Sequence, residues 1–513
     1  MAKEKKEKGA ADRFYKDTYI AKYRQWRGVK DSWLDFVYWL KTLGVMGGMV
    51  MKCPVRMLKG MFTYRWFGSY LGGIAMFDRL TDGLEGDALK IAHIYLNEIL
   101  KGTTDKLAVM MKGDQRFGSN SFGKKIVLIE QAMPPELLLG FPNLIGVPVE
   151  IFQGLLGSYM DQSLCPHYDD VTEAAGLPAD SCRISSNMLG VAMCDDFPLI
   201  GSCMISNNAP CDSSAMNSQL VERMMNIPVI TADTVMRWED RNTDAYGLSQ
   251  VKKAIHFIEE CTGEKFDEEA FRRGAQQHNL EVEQEMSKWE FMQTPYTAVS
   301  GPAGYLFHAF YFTFSGGLYK NFAAADKKVL KICEETYNKK INLYPKARHR
   351  AISWGGPPGY YVHFGQWMYN CWGVTMLCAM DNFSGNVILP TDTLDHGLTG
   401  VARNNETGVM RRHLTGGYQH LLEFWEEAEK FNCDIVVLND DITCKGALGL
   451  TGVILDSAQN RSQKLVMISN DMLNHVTIPR QNLRDQFNDF MVNVMREEPL
   501  DPSLLVIDDY YGW

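Results

Sequence analysis

Short apolar runs alternate with amphipathic runs in two parts of the chain. In the first part, residues 124–130, 146–152 and 227–233 form apolar runs of strand length, and an amphipathic run precedes the last of them. In the second part, strand-like runs lie at residues 351–354, 374–378, 434–438 and 465–468. Helical periodicity between such runs is typical of parallel sheets covered by helices. The pattern therefore predicts two α/β units, each with a parallel sheet.

Two other regions have helical character. Residues 237–345 carry three long runs with charged faces, and the Gly-Pro-Ala-Gly stretch at 301–304 predicts an interruption between them. Residues 33–77 are rich in Trp, Tyr, Met and Gly. Basic side chains keep every apolar run there shorter than the ~18 residues that a membrane span needs. We therefore expect helices in both regions and no membrane span.

These patterns together predict an α/β fold. It consists of two Rossmann-like or flavodoxin-like parallel-sheet units, separated by a helical segment and preceded by a helical N-terminal extension. The expected domains are a helical N-terminal extension over 1–110, a first α/β domain with Cys182 and Cys211 over 111–236, a helical segment over 237–345, and a second α/β domain with Cys444 over 346–513.

Composition narrows the class of protein. The 513 residues are 46% apolar and 22% charged, which is typical of a soluble globular protein with several domains. A net charge of −10 argues against a general nucleic-acid binder. The twelve cysteines accompany a charged chain start without the apolar core of a secretory signal. We therefore expect free thiols in the cytoplasm rather than a disulfide framework.

Three of the cysteines stand in polar turns and not within an apolar period. Cys182 follows an Asp-Ser pair, Cys211 stands between Pro and Asp, and Cys444 lies just beyond the predicted strand at 434–438. Thiols in such loops serve ligation or chemistry more often than packing. Cys444 also lies where open α/β sheets bind ligands. We interpret the three as ligands of one metal cluster, although no compact Cys-x₂-Cys spacing marks the site.

Other cysteines leave alternatives open. Cys165, Cys194 and Cys203 lie close to Cys182 in sequence and are the first replacements if the assignment of ligands is wrong. Cys194 and Cys203 could equally line the site without binding a metal. Cys371 and Cys378 fall in a predicted helix and a predicted strand, where a thiol packs as a small apolar side chain.

Three further features have both a functional and a structural interpretation. The loop Gly355–Gly359 could bring backbone N–H groups to a phosphate, but it lacks the Lys-Ser/Thr ending of an ATP-binding loop, and a plain strand–helix turn is the preferred interpretation. Asp440 and Asp441 could orient a ligand or cap a helix, and capping is preferred. His167 could carry a proton or be a surface imidazole.

Several short motifs, taken in order, give the chain a family resemblance. They are Pro135-Glu136-Leu137, Leu177–Cys182, Pro210-Cys211-Asp212, Phe257–Lys265, the loop Gly355–Gly359 and Arg480–Phe487. In order and spacing they resemble subunits of the 2-hydroxyacyl-CoA dehydratase family, which also contains the ATP-dependent benzoyl-CoA reductases. The resemblance covers roughly residues 125–497 and leaves the first hundred or so residues outside.

The resemblance implies a subunit that holds one 4Fe-4S cluster through three cysteines, here Cys182, Cys211 and Cys444, with one iron left open. It also implies a homologous second subunit, in a heterodimer or a larger assembly, and a separate ATP-hydrolysing iron–sulfur activator that delivers electrons. The expected substrate is an (R)-2-hydroxyacyl-CoA, which loses water through a ketyl radical to give a 2-enoyl-CoA.

Two alternatives remain open at the level of sequence. Similar subunits reduce the ring of aromatic acyl-CoA thioesters. A non-catalytic subunit with this fold could also relay electrons or support its partner. The three cysteines in loop settings weigh against the second alternative, and no residue identifies the acyl group or the catalytic base.

Overall fold

The computed structural model describes residues 28–70, 80–130, 133–148, 150–207, 218–219, 222–224, 226–234, 241–298, 301–310, 320–379, 386–408 and 417–506. Cys211 lies outside these residues, and so does most of the amphipathic run before the strand predicted at 227–233. Within the described residues, no helix is long and apolar enough to cross a membrane.

Helices form most of residues 28–70 and 80–125, the described part of the chain before the first sheet. They are α1 (Val29–Lys52), α2 (Pro54–Thr63), α3 (Arg65–Ser69) and α4 (Gly86–Gly113). Most residues of helix α4 are buried, and α1 packs along α4, with Tyr38 stacked on the ring of His93. In α3, Trp66 is fully buried and its indole N–H donates to the carbonyl of Asp196 at 2.8 Å. The described part of the helical extension is therefore packed against the core of the protein.

The first sheet consists of four parallel strands in the order β2-β1-β3-β4. They are β1 (Ile126–Ile129), β2 (Ile145–Pro148), β3 (Cys203–Asn207) and β4 (Val229–Ala232). Leu128 of the central strand β1 pairs with Val147 on one side and with Met204 on the other. Strand order reverses between β1 and β3, which is the place where open parallel sheets form ligand crevices.

The second sheet repeats this plan with the order β6-β5-β7-β8. Its strands are β5 (His349–Trp354), β6 (Val374–Ala379), β7 (Ile435–Asp441) and β8 (Lys464–Asn470). All three pairs of neighbouring strands are parallel. Both sheets thus have the first four strands of the flavodoxin-like order, and the predicted α/β fold with two parallel sheets and a helical N-terminal region is confirmed.

The remaining helices cover the sheets and form the segment between them. They are α5 (Gly157–Met160), α6 (Leu164–Ala174), α7 (Arg183–Met193), α8 (Arg241–Thr262), α9 (Glu268–Met292), α10 (Gly301–Phe310), α11 (Lys320–Asn338), α12 (Phe364–Trp372), α13 (Leu394–Thr407), α14 (Gly417–Lys430), α15 (Lys445–Asn460) and α16 (Arg480–Phe490).

Two local predictions are wrong. The strand predicted at 146–152 ends at Pro148, and Ile151–Leu156 forms a π-helical turn instead. A short, buried apolar run can form either a strand or a helical turn, so the sequence pattern alone does not distinguish these two structures. The interruption predicted at 301–304 is the beginning of α10. Pro302 lies in the first turn of that helix, where a missing N–H costs nothing.

Candidate functional site

Two of the predicted ligand cysteines each lie directly before a helix, at different places in the strand order: α7 lies between β2 and β3, and α15 lies between β7 and β8. Cys182 is the residue before α7, and Cys444 is the residue before α15, three residues after the end of β7. Both are half-buried. The backbone of Cys444 is held by a turn in which its N–H donates to the carbonyl of Asp441 at 2.9 Å. The N-terminus of a helix carries partial positive charge, which suits a negatively charged sulfur ligand.

An ion pair places the two cysteine loops side by side. Lys445 Nζ lies 3.4 Å from Asp180 Oδ2. Lys445 directly follows Cys444, and Asp180 stands two residues before Cys182. Both side chains of the pair are exposed, so the pair contributes little stability. It shows, however, that the loop before α7 and the loop after β7 meet at one edge of the molecule.

A buried arginine joins the first turn of α7 to the second sheet. Arg183 Nε donates to Asp471 Oδ2 at 2.9 Å, and Arg183 Nη1 lies 3.3 Å from Asp169 Oδ2. Asn474 Nδ2 also donates to Asp169, at 2.9 Å. Burial lowers the pKa of Arg183, but the two aspartates raise it by more. Arg183 therefore stays charged. It directly follows Cys182, and it fixes the first turn of α7 against the loop after β8.

The end of β8 supports the segment that leads to Cys444. The N–H of Ile442 donates to the carbonyl of Asn470 at 2.9 Å. Asp441 accepts two hydrogen bonds from Thr443, one from its N–H at 3.0 Å and one from its hydroxyl at 2.9 Å. Burial raises the pKa of Asp441 to about 6, and Asp471 contributes to the increase. Residues 470–474 thus hold both cysteine loops.

The three alternative cysteines are less suitable as ligands. Cys165 is fully buried, accepts a hydrogen bond from Asn187 Nδ2 at 3.0 Å, and has its pKa raised by burial and by Asp169. Cys203 lies inside β3, where burial raises its pKa. Cys194 follows the C-terminal end of α7, and burial raises its pKa too. A helix C-terminus carries partial negative charge and disfavours a thiolate.

The structure also shows where the other residues considered in the sequence analysis lie and what they contact. Cys371 and Cys378 are buried in α12 and β6. Asp440 and Asp441 end β7, and Asp440 Oδ1 accepts from the hydroxyl of Thr451 at 2.6 Å. His167 is half-buried, with Nε2 at 3.9 Å from the sulfur of Cys194.

The loop Gly355–Gly359 forms a tight turn at the edge of the second sheet. Gly355 has a φ of +83°, and a Cβ at that position would collide with the carbonyl oxygen of Asn439. The N–H of Gly359 donates to the carbonyl of Met472 at 2.7 Å and is not available to a phosphate. A side chain at Gly359 would overlap the ring of Tyr159. These contacts favour the strand–helix turn over a phosphate-binding loop.

The part of the chain that the structure describes contains no group of three or more His, Cys, Asp or Glu side chains positioned to hold a metal ion. Cys211 is not among the described residues, so a third thiol beside Cys182 and Cys444 stays a prediction. The thiols of Cys182 and Cys444 fit a sulfur-ligated cluster, because each is half-buried at a helix N-terminus and an ion pair joins their loops.

Sequence reasoning did not identify Arg183 or Asp471, which connect the two halves of this site. A basic residue at the start of the otherwise uncharged run Arg183–Met193 is a signal for a buried ion pair, because burying an unpaired charge is costly. Asp471 directly follows β8, at the edge where ligands of parallel sheets bind.

A comparison with protein families agrees with this architecture. The family described as 2-hydroxyglutaryl-CoA dehydratase, D-component, matches residues 133–491, which is more than two thirds of the chain. The match includes both sheets except β1, and it includes all three predicted ligand cysteines. No curated protein matches the chain. The chain therefore belongs to the 2-hydroxyglutaryl-CoA dehydratase D-component family.

Proposed function

We propose that this chain is a subunit of a 2-hydroxyacyl-CoA dehydratase that removes water from an (R)-2-hydroxyacyl-CoA to give a 2-enoyl-CoA. The observation that carries the proposal is the meeting of the loops of Cys182 and Cys444, joined by the Asp180–Lys445 ion pair, in a chain of this family. Two cysteines whose loops come from different halves of the chain and meet through an ion pair suit a ligand held between the two halves.

The proposed cofactor is a 4Fe-4S cluster held by Cys182, Cys211 and Cys444. When bound, such a cluster with one open iron supplies a Lewis acid and a route for single electrons. The chain's own residues keep the sulfur ligands in place. Arg183 and Asp471 hold the first turn of α7, and the turn from Asp441 holds Cys444.

The proposed reaction explains why a one-electron donor is required. The carbonyl of a 2-hydroxyacyl thioester does not acidify the β-proton that dehydration must remove. One electron added to the thioester carbonyl gives a ketyl radical, which expels the α-hydroxide and leaves the β-proton acidic enough for a base. The electron is recovered when the enoyl-CoA forms, so it is not consumed. We infer that a separate ATP-hydrolysing activator supplies it, because the sequence lacks the Lys-Ser/Thr ending of an ATP-binding loop.

A homologous partner subunit is part of the proposal. Helix α1 turns Tyr38 and Met49 toward α4, while its opposite face exposes large apolar side chains. We define the α1 outer face by the exposed residues Trp33, Phe36, Trp39, Leu40 and Leu43. A contiguous face of this kind on a folded protein marks an interaction surface.

Free thiols and radical chemistry suit a reducing cytoplasm, which is the proposed location.

An electron count tests the reaction. The complex is activated once with ATP and a strong reductant, both are removed, and enoyl-CoA is counted on a panel of 2-hydroxyacyl-CoA thioesters. Dehydration predicts many product molecules for each electron supplied. Product limited to the electrons supplied, and formed only from aromatic thioesters, would indicate ring reduction and contradict the proposal.

A variant of this subunit tests whether it takes part in the reaction. Replacing Cys444 by Ser in this chain alone, with the partner unchanged, should abolish turnover. If the assembly with Cys444→Ser turned over at the normal rate, this chain would be a supporting subunit and not a catalytic one.

A further inference from the structure

A cavity of about 70 Å³ lies at the carboxyl-terminal edge of the second sheet. Ser353, Ala379 and Asn439 line it from the ends of β5, β6 and β7. The loop before α12 and α12 itself form another part of the wall, and Tyr159 of α5 and Leu306 of α10 complete it. This edge is where open parallel sheets bind their ligands.

The wall of the cavity is apolar. Among the described residues that line it, none carries a charge, and most have hydrocarbon or sulfur side chains, such as Pro357, Met368, Met376 and Val437. A carboxylate placed there would lose its hydration without gaining a cation, at a cost of several kcal/mol. The cavity therefore selects against an acyl group that ends in a carboxylate.

The cavity adjoins the loop that holds Cys182. Tyr159 lines the cavity, and it also packs, together with Cys182 and Met472, against the buried cluster of Cys165, Ile184 and Leu473. The N–H of Gly359, another residue of the wall, donates to the carbonyl of Met472. The wall of the cavity and Cys182 thus contact the same buried cluster.

The geometry points to this cavity as the binding site for the acyl chain, and to a short aliphatic chain as its occupant. This inference rests on the proposed function, since it takes the ligand to be an acyl-CoA. Size supports the assignment: an apolar cavity that admits benzene has a volume of ~150 Å³, about twice the volume found here. A phenyl group is therefore too large, and a glutaryl chain carries the charge that the wall excludes.

Binding of unreactive thioesters tests the inference without turnover. Isovaleryl-CoA, glutaryl-CoA, benzoyl-CoA and free CoA are titrated into the anaerobically purified assembly by calorimetry. Isovaleryl-CoA should bind at least ~10-fold more tightly than glutaryl-CoA or benzoyl-CoA, a difference of about 1.4 kcal/mol. Equal or tighter binding of glutaryl-CoA would overturn the inference. The electron count is a separate experiment, so the dehydratase proposal can fail while this binding order holds.

Two variants locate the site within the chain. Ala379→Leu fills the cavity and should weaken isovaleryl-CoA binding at least ~10-fold while free CoA binds as before. Met376→Ala enlarges the cavity and should strengthen benzoyl-CoA binding, a gain that a misfolded protein cannot show. Met467→Ala, on β8 of the same sheet and outside the cavity, is the matched control. If neither variant changes the order of affinities, the acyl chain binds elsewhere.

Discussion

Arg183 Nε and Asp471 Oδ2 form a 2.9 Å hydrogen bond in which the arginine side chain is 6% exposed and the aspartate is fully buried. The two residues are 288 positions apart. Arg183 directly follows Cys182, and Asp471 directly follows β8. This contact therefore fixes a candidate ligand from the first half of the chain against the second sheet.

Arg183→Lys should lower the affinity of the protein for the proposed cluster. Lysine keeps the charge, but its single ammonium group cannot contact Asp471 and Asp169 in the arrangement that the guanidinium allows. Loss of a residue that orients a ligand typically costs ~10–100-fold in metal affinity. The measurement is the rate of iron loss to a chelator under anaerobic conditions. Arg272→Lys, at an exposed arginine of α9, is the control, and equal rates of iron loss in the two variants would contradict the positioning role.

A buried ion network should dominate the stability of the helical segment. Lys288 Nζ lies 2.9 Å from Glu285, 2.5 Å from Asp326 and 2.7 Å from the hydroxyl of Tyr95. Burial lowers the pKa of Lys288, but the two acidic side chains raise it by more, so the amine is charged. The network joins α4, α9 and α11.

Lys288→Met removes the cation that Glu285 and Asp326 share, while Glu285 keeps its contact with His308 at 3.2 Å. Breaking a buried ion pair in this way costs ~3–5 kcal/mol. Lys339→Met removes an exposed lysine that pairs with Glu335 at 3.5 Å, and should cost ~0–1 kcal/mol. Differential scanning calorimetry of both variants checks the prediction. Equal changes in Tm would show that the buried network has no special role.

Stability should fall with rising pH because of Glu136. Burial raises the pKa of Glu136 to about 8, and the nearby Glu281 adds to the shift. The folded protein therefore keeps a proton that the unfolded chain releases near pH 4.5. The free energy of unfolding falls by at most ~1.4 kcal/mol per pH unit between these values. His278, 3.4 Å from Glu136, is neutral at pH 7, because burial lowers its pKa to about 4.

Glu136→Gln removes this titration and isolates its effect. The Tm of the variant minus that of the wild type should grow between pH 4.5 and pH 8 and then level off. Glu268→Gln, at an exposed glutamate of α9, should give a difference that does not change with pH. A constant difference for Glu136→Gln over this range would mean that Glu136 is ionised in the folded protein.

The α1 outer face should hold the assembly together. Trp33 is 65% exposed and Leu40 is 48% exposed, so water would cover both side chains in an isolated subunit. Replacing both by Ser should lower the mass of the purified assembly in sedimentation velocity. Val476→Ser, at a residue that is 66% exposed and distant in sequence, is the control. An assembly of unchanged mass would place the partner on another surface.

Sequence patterns predicted most of the sheets but missed β3. Seven of the eight strands lie where apolar runs of strand length indicated them. Strand β3 contains only three apolar residues, Cys203, Met204 and Ile205, before Ser206 and Asn207. Its polar end is nevertheless buried, because Asn207 Nδ2 donates to Asn405 Oδ1 at 2.6 Å. Asn405 lies in α13, far from Asn207 in the sequence, so the local sequence pattern could not predict this contact.

The candidate site was predictable in part. Polar turn chemistry identified Cys182 and Cys444, and the structure places each before a helix. The contacts that bring their loops together join Arg183 to Asp471 and Asp180 to Lys445. The partners in each pair are far apart in the sequence, so a local sequence pattern cannot predict these contacts. The cavity, similarly, is formed by side chains from three strands of the second sheet and from three helices, and only the folded chain assembles it.

The central claim is that Cys182, Cys211 and Cys444 hold one 4Fe-4S cluster, and iron analysis of cysteine variants tests it most directly. The protein is prepared anaerobically, and iron is counted per chain together with the electron paramagnetic resonance signal of the reduced cluster. We expect about four irons in the wild type and in Cys194→Ser, and loss of both iron and signal in Cys182→Ser, Cys211→Ser and Cys444→Ser. Full iron in Cys182→Ser together with loss of iron in Cys194→Ser would contradict the account.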